Sequence, residues 1–214
     1  KALNRFRSFF QKASRNNTRT CWVLKCDIKK FFASIDHQIL LEILTKKIRD
    51  IKVIDLLTRI ITSFNPGLPL GNLTSQLLVN IYMNEFDQWM KHTLKIKYYI
   101  RYADDFVILH TDKDYLQELI WRIDTFLSEK LKLSLHPDKV FIKTLASGVD
   151  FLGWVHFPTH RVLRTATKKR MFARCANNPS KETVISYLGL LKHGNTKKLQ
   201  EKVLCYYKDD KIKV

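Results

Sequence analysis

Residues 98–109 read YYIRYADDFVIL: two apolar, aromatic-rich runs around Ala103, Asp104 and Asp105. Tyr, Ile, Phe and Val favour strands, whereas Asp is depleted in them and common in turns. Residues 97–101 and 106–110 are therefore expected as two strands of a hairpin, with the acids at or near its turn. An Asp pair there is by itself an ordinary turn signal, although adjacent carboxylates beside a buried sheet repel one another. A third acid shifts the balance. Residues 21–28, CWVLKCDI, read as another short buried strand, and it closes on Asp27. A divalent cation would offset the repulsion among the three, and hard carboxylate oxygens suit Mg²⁺.

Outward from these strands the pattern becomes helical. Asp36 is placed as the N-cap of an amphipathic helix to about residue 49, its apolar face being Ile39, Leu40, Ile43, Leu44 and Ile48. A second helix covers about 52–63 and is broken by Asn65-Pro66-Gly67 and Pro69, with Gly71-Asn72 keeping the chain in a loop. Residues 74–92 read as one long helix. Residues 112–130 read as another, with Leu116, Leu119, Ile120, Ile123 and Leu127 on one face. Residues 131–142 and 149–157 are expected as short strands and loops. After Pro158 the chain turns basic and helical, in three pieces broken near Pro179 and Gly194-Asn195. A soft domain boundary is placed at 158–165.

The chain has 214 residues, 45% of them hydrophobic, which excludes a disordered polypeptide. No apolar run reaches the roughly 20 residues of a membrane-spanning helix. Residues 1–11 are too broken by Asn4, Arg5 and Arg7 for a signal peptide. The first residue is Lys, so the chain is expected to be part of a longer one. The formal net charge of +18 is uneven: residues 1–25 carry seven Lys/Arg and no acid, and residues 161–214 fourteen Lys/Arg against four acids. Residues 26–160 hold seventeen against sixteen. Two basic ends around a neutral body point to nucleic acid as partner, ahead of an anionic membrane surface. Cys21, Cys26, Cys175 and Cys205 form no CxxC pair and have no His at zinc spacing. They read as small hydrophobes in a reducing compartment, with the cytoplasm as default address.

Tyr102-Ala103-Asp104-Asp105 resembles the YxDD box of reverse transcriptases. Residues 26–32, CDIKKFF, resemble their first acidic motif. Residues 67–76, GLPLGNLTSQ, resemble the loop and helix that hold the template opposite the incoming nucleotide. Residues 135–140, LHPDKV, resemble the next motif, and residues 151–154, FLGW, the primer-grip box. All five occur in family order. The detail is similar to bacterial retroelement enzymes, the 70–76 run (LGNLTSQ) to the diversity-generating branch first and to group II intron enzymes second. The resemblance implies an α+β fold: a right-hand polymerase palm, an antiparallel sheet with helices packed on one face, at 21–158. It also implies partial fingers at 1–20 and a basic α-helical thumb at 159–214.

It further implies RNA-directed DNA synthesis: attack of a DNA or RNA primer's 3′-hydroxyl on a dNTP, copied from an RNA template. Two Mg²⁺ ions, or Mn²⁺, would be held by Asp27, Asp104 and more weakly Asp105, with the Ile28 carbonyl. Backbone N–H groups from Lys29, Lys30, Phe31 and Phe32 would cradle the triphosphate. Phe32 would screen the sugar 2′ carbon, with Phe31 assigned to the core. Leu70, Gly71 and Gln76 would lie at the nascent pair, and Lys139 would protonate pyrophosphate. Tyr102, Phe151, Leu152, Gly153 and Trp154 would meet the primer, and Arg164, Lys168, Lys169, Arg170 and Arg174 would grip duplex phosphates. An accessory protein is an open partner; no membrane is implied.

The family carries more fingers sequence before its first acidic motif, and the 63–67 connection is short for it. Rival readings are an intron maturase, which needs a segment after Val214, and a non-catalytic RNA-binding scaffold, which has no reason to keep three uncompensated acids. Intron enzymes carry PQG where this chain has Pro69-Leu70-Gly71, and the diversity-generating branch is associated with error-prone copying. Leu70 removes a polar contact at the nascent pair, which predicts reduced fidelity. Leu70→Gln should lower the error rate on a defined template, as counted by sequencing the products; an unchanged rate rejects the idea.

Overall fold

The computed structural model describes residues 2–177 and 180–210. The chain folds as two compact units that divide between Ile142 and Lys143. Composition places the boundary later, at 158–165. It falls earlier because Trp154 and Leu163 share one core with the helical residues Met171, Cys175, Val184, Leu191 and Val203.

In the larger unit, helix α1 (Ala2–Ala13) precedes strand β1 (Trp22–Asp27), helices α2 (His37–Thr45), α3 (Ile51–Thr62), α4 (Leu73–Tyr82) and the short α5 (Asn84–Gln88). Strands β2 (Tyr99–Tyr102) and β3 (Asp105–His110) follow, then α6 (Lys113–Leu131) and β4 (Phe141–Thr144), within which the division falls. The sheet order is β2-β3-β1-β4, with β3 antiparallel to both β1 and β2. Leu24 pairs with Ile108 and Cys26 with Phe106. These four lie in one core with Leu40 and Leu44 of α2, Leu78 and Tyr82 of α4, and Leu116 to Leu127 of α6. Burial of each large apolar side chain contributes about 1.5–3 kcal/mol. Strand alternation sends Lys25, Asp27 and Asp105 to the opposite face. Val23, Val107 and Leu109 on that face are buried too, so the central strands read as continuous apolar runs rather than alternating ones.

The helix starts follow their caps. Asp36 Oδ1 accepts from the Ile39 N–H, Asp50 from Lys52 and Val53, and Asp112 from Asp114 and Tyr115. The single helix expected over 74–92 is instead three pieces: α4, α5 and a π turn over Trp89–Thr93. The wider π turn lets neighbouring side chains both face inward. Met90 is fully buried while Trp89 stacks on Phe126 at 4.3 Å.

The smaller unit holds an antiparallel sheet β5 (Val149–Phe151), β6 (Trp154–His156) and β7 (Arg161–Leu163), then helices α7 (Thr165–Asn177), α8 (Lys181–Leu191) and α9 (Lys197–Asp210). β7 occupies sequence expected to be helical from Pro158 onward, because its pairing with β6 places Leu163 against Trp154. The Gly194-Asn195 break lies between α8 and α9; that near Pro179 lies outside the described residues. Cys21, Cys26 and Cys175 are buried thiols, whereas Cys205 is exposed. No described helix is long and apolar enough to cross a membrane.

Phe86 is fully buried and meets the rings of Trp89, Tyr99, Phe106 and Phe126. Phe86→Ala should cost about 3–5 kcal/mol, read as a lower urea midpoint at unchanged slope.

Candidate active site

The β1–β3 register sets Asp27 opposite Asp105, and the β2–β3 register sets Tyr102 opposite Asp105. Ala103 and Asp104 are thus the two residues of a tight turn. Ala103 has φ 54°, the left-handed region that costs a non-glycine residue about 1 kcal/mol or more. Hydrogen bonds on either side fix the turn: Arg101 Nη1 donates to the Ala103 carbonyl at 3.0 Å, and the Ile28 N–H to the Asp104 carbonyl at 3.3 Å. Beyond β1 the chain runs beside the 134–136 segment. Lys29 N–H donates to Ser134 O at 3.0 Å, His136 N–H to Asp27 O at 2.8 Å, and Ile28 bridges to Leu135. Backbone pairing alone therefore gathers the three acids at one edge of the sheet.

Two lysines face these acids. Lys139 Nζ lies 3.1 Å from Asp27 Oδ1, and Lys25 Nζ lies 3.2 Å from Asp105 Oδ2. Asp105 Oδ1 is buried with no hydrogen-bond partner. Burial pushes the Asp105 carboxyl up to about 6; Lys25 pulls it back, and the charges of Asp27 and Asp104 add to the rise. Burial raises Asp104 as well, helped by the Asp27 charge and opposed by Lys139 and Lys25. Among the described residues, no three acidic, His or Cys side chains converge as a ligand set. Two of the three carboxylates are turned to lysines instead. The donors still fit a hard divalent cation: they are carboxylate oxygens, one of them orphaned, in a partly desolvated corner where like charges crowd.

The other residues singled out by the sequence are dispersed. Phe31 is buried and Phe32 half-buried in a 3₁₀ turn (Phe31–Ser34), their rings edge-on at 5.5 Å. Lys30, which starts that turn, is left-handed at φ 47°. The triphosphate cradle expected over residues 29–32 needs one correction: the Lys29 N–H is taken by Ser134. Leu70 and Gly71 are exposed in the loop before α4, and Gln76 is exposed on α4. Gly67 packs this loop against the 3₁₀ turn. Its φ is +63°, and a Cβ there would lie 2.3 Å from the Phe32 carbonyl oxygen.

In the smaller unit, Leu152 and Gly153 form a two-residue hairpin turn with φ 53° and 77°, both half-exposed. Phe151 and Trp154, expected to brace the primer, are fully buried. They are the cross-strand pair that closes the turn, so their side chains belong to the core. Arg164 is paired with Asp150 at 3.0 Å, whereas Lys168, Lys169, Arg170 and Arg174 stand exposed on α7. Tyr102 is 61% exposed beside the acids.

Sequence reasoning missed Lys25 and the set around Arg101. Lys25 lies two residues before Asp27, so strand alternation alone places it on the acids' face. Arg101 is a cation inside an apolar strand. Its partner Asp87 lies in α5, and only the tertiary fold reveals the pairing.

Comparison with known proteins gives the family. Residues 2–156 match the family described as reverse transcriptase (RNA-dependent DNA polymerase), and the chain belongs to that family. Among curated relatives, protein YkfC of Escherichia coli K12 is 27% identical, the match covering 71% of this chain and 49% of YkfC. Group II intron-encoded protein LtrA of Lactococcus lactis subsp. cremoris is 24% identical over 70% of this chain and 36% of LtrA. The putative COX1/OXI3 intron 2 protein of Saccharomyces cerevisiae is 24% identical over 65% of this chain and 24% of its own length. The chain thus spans less than half of each. Apo telomerase from Candida tropicalis, truncated from its C-terminal domain, superposes with a TM-score of 0.61 at 14% identity, covering 75% of this chain and 39% of that one. Telomerase from Candida albicans, in complex with a telomeric RNA fragment, gives 0.56 at 11% identity, covering 82% and 38%. The telomerase likeness supports the α+β palm fold. The relatives support a reverse transcriptase of the bacterial or intron kind; the diversity-generating resemblance rests on the 70–76 run alone.

A carboxyl raised from 3.8 to about 6 holds its proton more tightly when folded, so its contribution to metal-free stability falls as pH rises between those values. Relative to Asp105→Asn, the parent chain in chelator should therefore lose stability across that window in thermal melts. At pH 7, Mg²⁺ at about ten times its Kd should restore about 1.4 kcal/mol. An Asp27→Asn, Asp104→Asn double variant should show no such gain.

Proposed function

We propose that this chain carries the polymerase centre of an RNA-directed DNA polymerase of a retroelement, extending a DNA or RNA primer with dNTPs on an RNA template. The observation that supports this most is the Asp27–Asp105 pairing with Asp104 in the intervening turn, in a chain of the reverse transcriptase family. Asp27 and Asp104, with Asp105 and the Ile28 carbonyl, are the residues that would hold two Mg²⁺ ions. Bound there, the ions would activate the primer hydroxyl and neutralise charge developing on the phosphates.

The chain's own groups supply the remainder. Asp27 carries Lys139 within 3.1 Å, so a proton donor stands beside the acids where pyrophosphate must leave. Phe32, half-buried and braced on Phe31, presents a rigid ring to the sugar and discriminates dNTP from rNTP by bulk. The exposed cations on α7 neutralise backbone phosphates without reading bases, as suits an A-like heteroduplex. The intron-encoded relatives favour a second reading in which the same fold also assists splicing of its RNA as a maturase.

Primer extension on an RNA template with Mg²⁺ and dNTPs tests the proposal. The parent chain should extend the primer, and Asp104→Ala should reduce the rate by about 10³-fold or more while leaving duplex affinity within about twofold. Extension by the variant at the parent rate rejects the site. Duplex binding by both without extension by either favours an RNA-binding scaffold.

A further inference from the structure

The carboxylates are presented by a turn that does not hold its shape unaided. Ala103 sits at φ 54°, a conformation that side-chain-bearing residues keep only where their surroundings impose it. The group that reaches it is the Arg101 guanidinium. Its Nε donates to Asp87 Oδ1 at 2.9 Å and its Nη2 to Asp87 Oδ2 at 2.7 Å, a two-point fork. Tyr99 Oη donates to the same Asp87 Oδ1 at 2.7 Å. With that edge fixed, the planar guanidinium has one orientation, and Nη1 points at the Ala103 carbonyl, 3.0 Å away, with Asn80 Oδ1 at 3.4 Å. The Arg101 side chain is 8% exposed, so water competes weakly for these bonds.

We infer that Arg101 is a positioning residue for nucleotide addition: anchored by Asp87 and Tyr99, it clamps the Ala103 carbonyl and so fixes the left-handed turn that presents Asp104 and Asp105. This rests on the polymerase reading above. The fork to Asp87 alone would suffice to tie α5 to β2. The bond to Ala103 has a different effect, because the next carbonyl, that of Asp104, is the one paired with Ile28 beside Asp27. A shift of the turn therefore changes the spacing between acids on different strands, and misplacement by about 1 Å can cost about 100-fold in rate. Asp87 and Tyr99 act one step further back, by aiming the guanidinium.

Arg101→Lys separates the two roles. An ammonium can keep the charge beside Asp87 but cannot hold both carboxylate oxygens and the Ala103 carbonyl in one plane. Single-nucleotide addition at saturating dNTP should fall about tenfold or more in kcat, with duplex Kd and dNTP KM within about twofold. Adding Ala103→Gly, which accepts a positive φ without a clamp, should recover at least about threefold of that loss. A folded Arg101→Lys chain that keeps its kcat overturns the inference. So does a loss that Ala103→Gly leaves unanswered, or a loss of duplex binding together with activity, since Arg101 would then hold the fold and not the turn. A parent chain that binds duplex yet never extends it overturns the polymerase reading itself.

Discussion

An antiparallel ladder that pairs Asp27 with Asp105 sets their Cα atoms roughly 5 Å apart and so brings two like charges side by side. Nothing in that pairing favours folding. It is imposed by the residues behind it, Cys26 against Phe106 and Leu24 against Ile108, whose burial against α2, α4 and α6 fixes the register. A slip of one residue would turn Lys25 and the acids toward that packed face, so the register is strongly specified. The apolar face thus determines where the charges stand, and the acids are carried by a fold they do not stabilise.

The two lysines that face the acids are not equivalent. Lys139 is about half exposed, and a pair of that kind contributes little and exchanges readily with solvent or a ligand. Lys25 is largely buried on β1 itself, two residues before Asp27, and its removal would leave Asp105 with both oxygens unpaired in a desolvated corner. One lysine is therefore a movable counter-charge and the other a built-in one. The second pulls the Asp105 carboxyl down against the larger upward push of burial.

Local features were the ones legible from sequence. Asp36 and Asp112 start helices because an Asp side chain reaches N–H groups two or three residues on, a short-range fact. Leu116, Leu119, Ile123 and Leu127 lie on the buried face of α6, as their spacing requires. The hairpin around Ala103-Asp104 follows from strand formers flanking turn formers. What escaped is long-range. The π turn after Gln88 answers to Phe126, and β7 exists because β6 offers it an edge. Trp154 faces inward because of the helices that follow it. In the candidate site, the acids were marked by being out of place in strands, whereas Lys25 and Arg101 could pass for ordinary strand cations until their partners were in view.

The close packing of Gly67 on the Phe32 carbonyl divides its loop into two zones under different steric constraint. The Leu68 N–H donates to Phe32 O at 2.8 Å and the His37 ring bonds the Gly67 carbonyl at 2.7 Å, so the base of the loop admits no side chain and little drift. A few residues on, Leu70 and Gly71 stand in open solvent, and a Cβ at Gly71 would meet nothing within 4 Å. Gly71 itself, at φ +93°, holds a backbone conformation that a side chain would strain, whereas Leu70 carries no such limit. A side-chain change at Leu70 therefore leaves the anchor of the loop on the Phe32 carbonyl in place, and the tip can vary in chemistry without unseating its base.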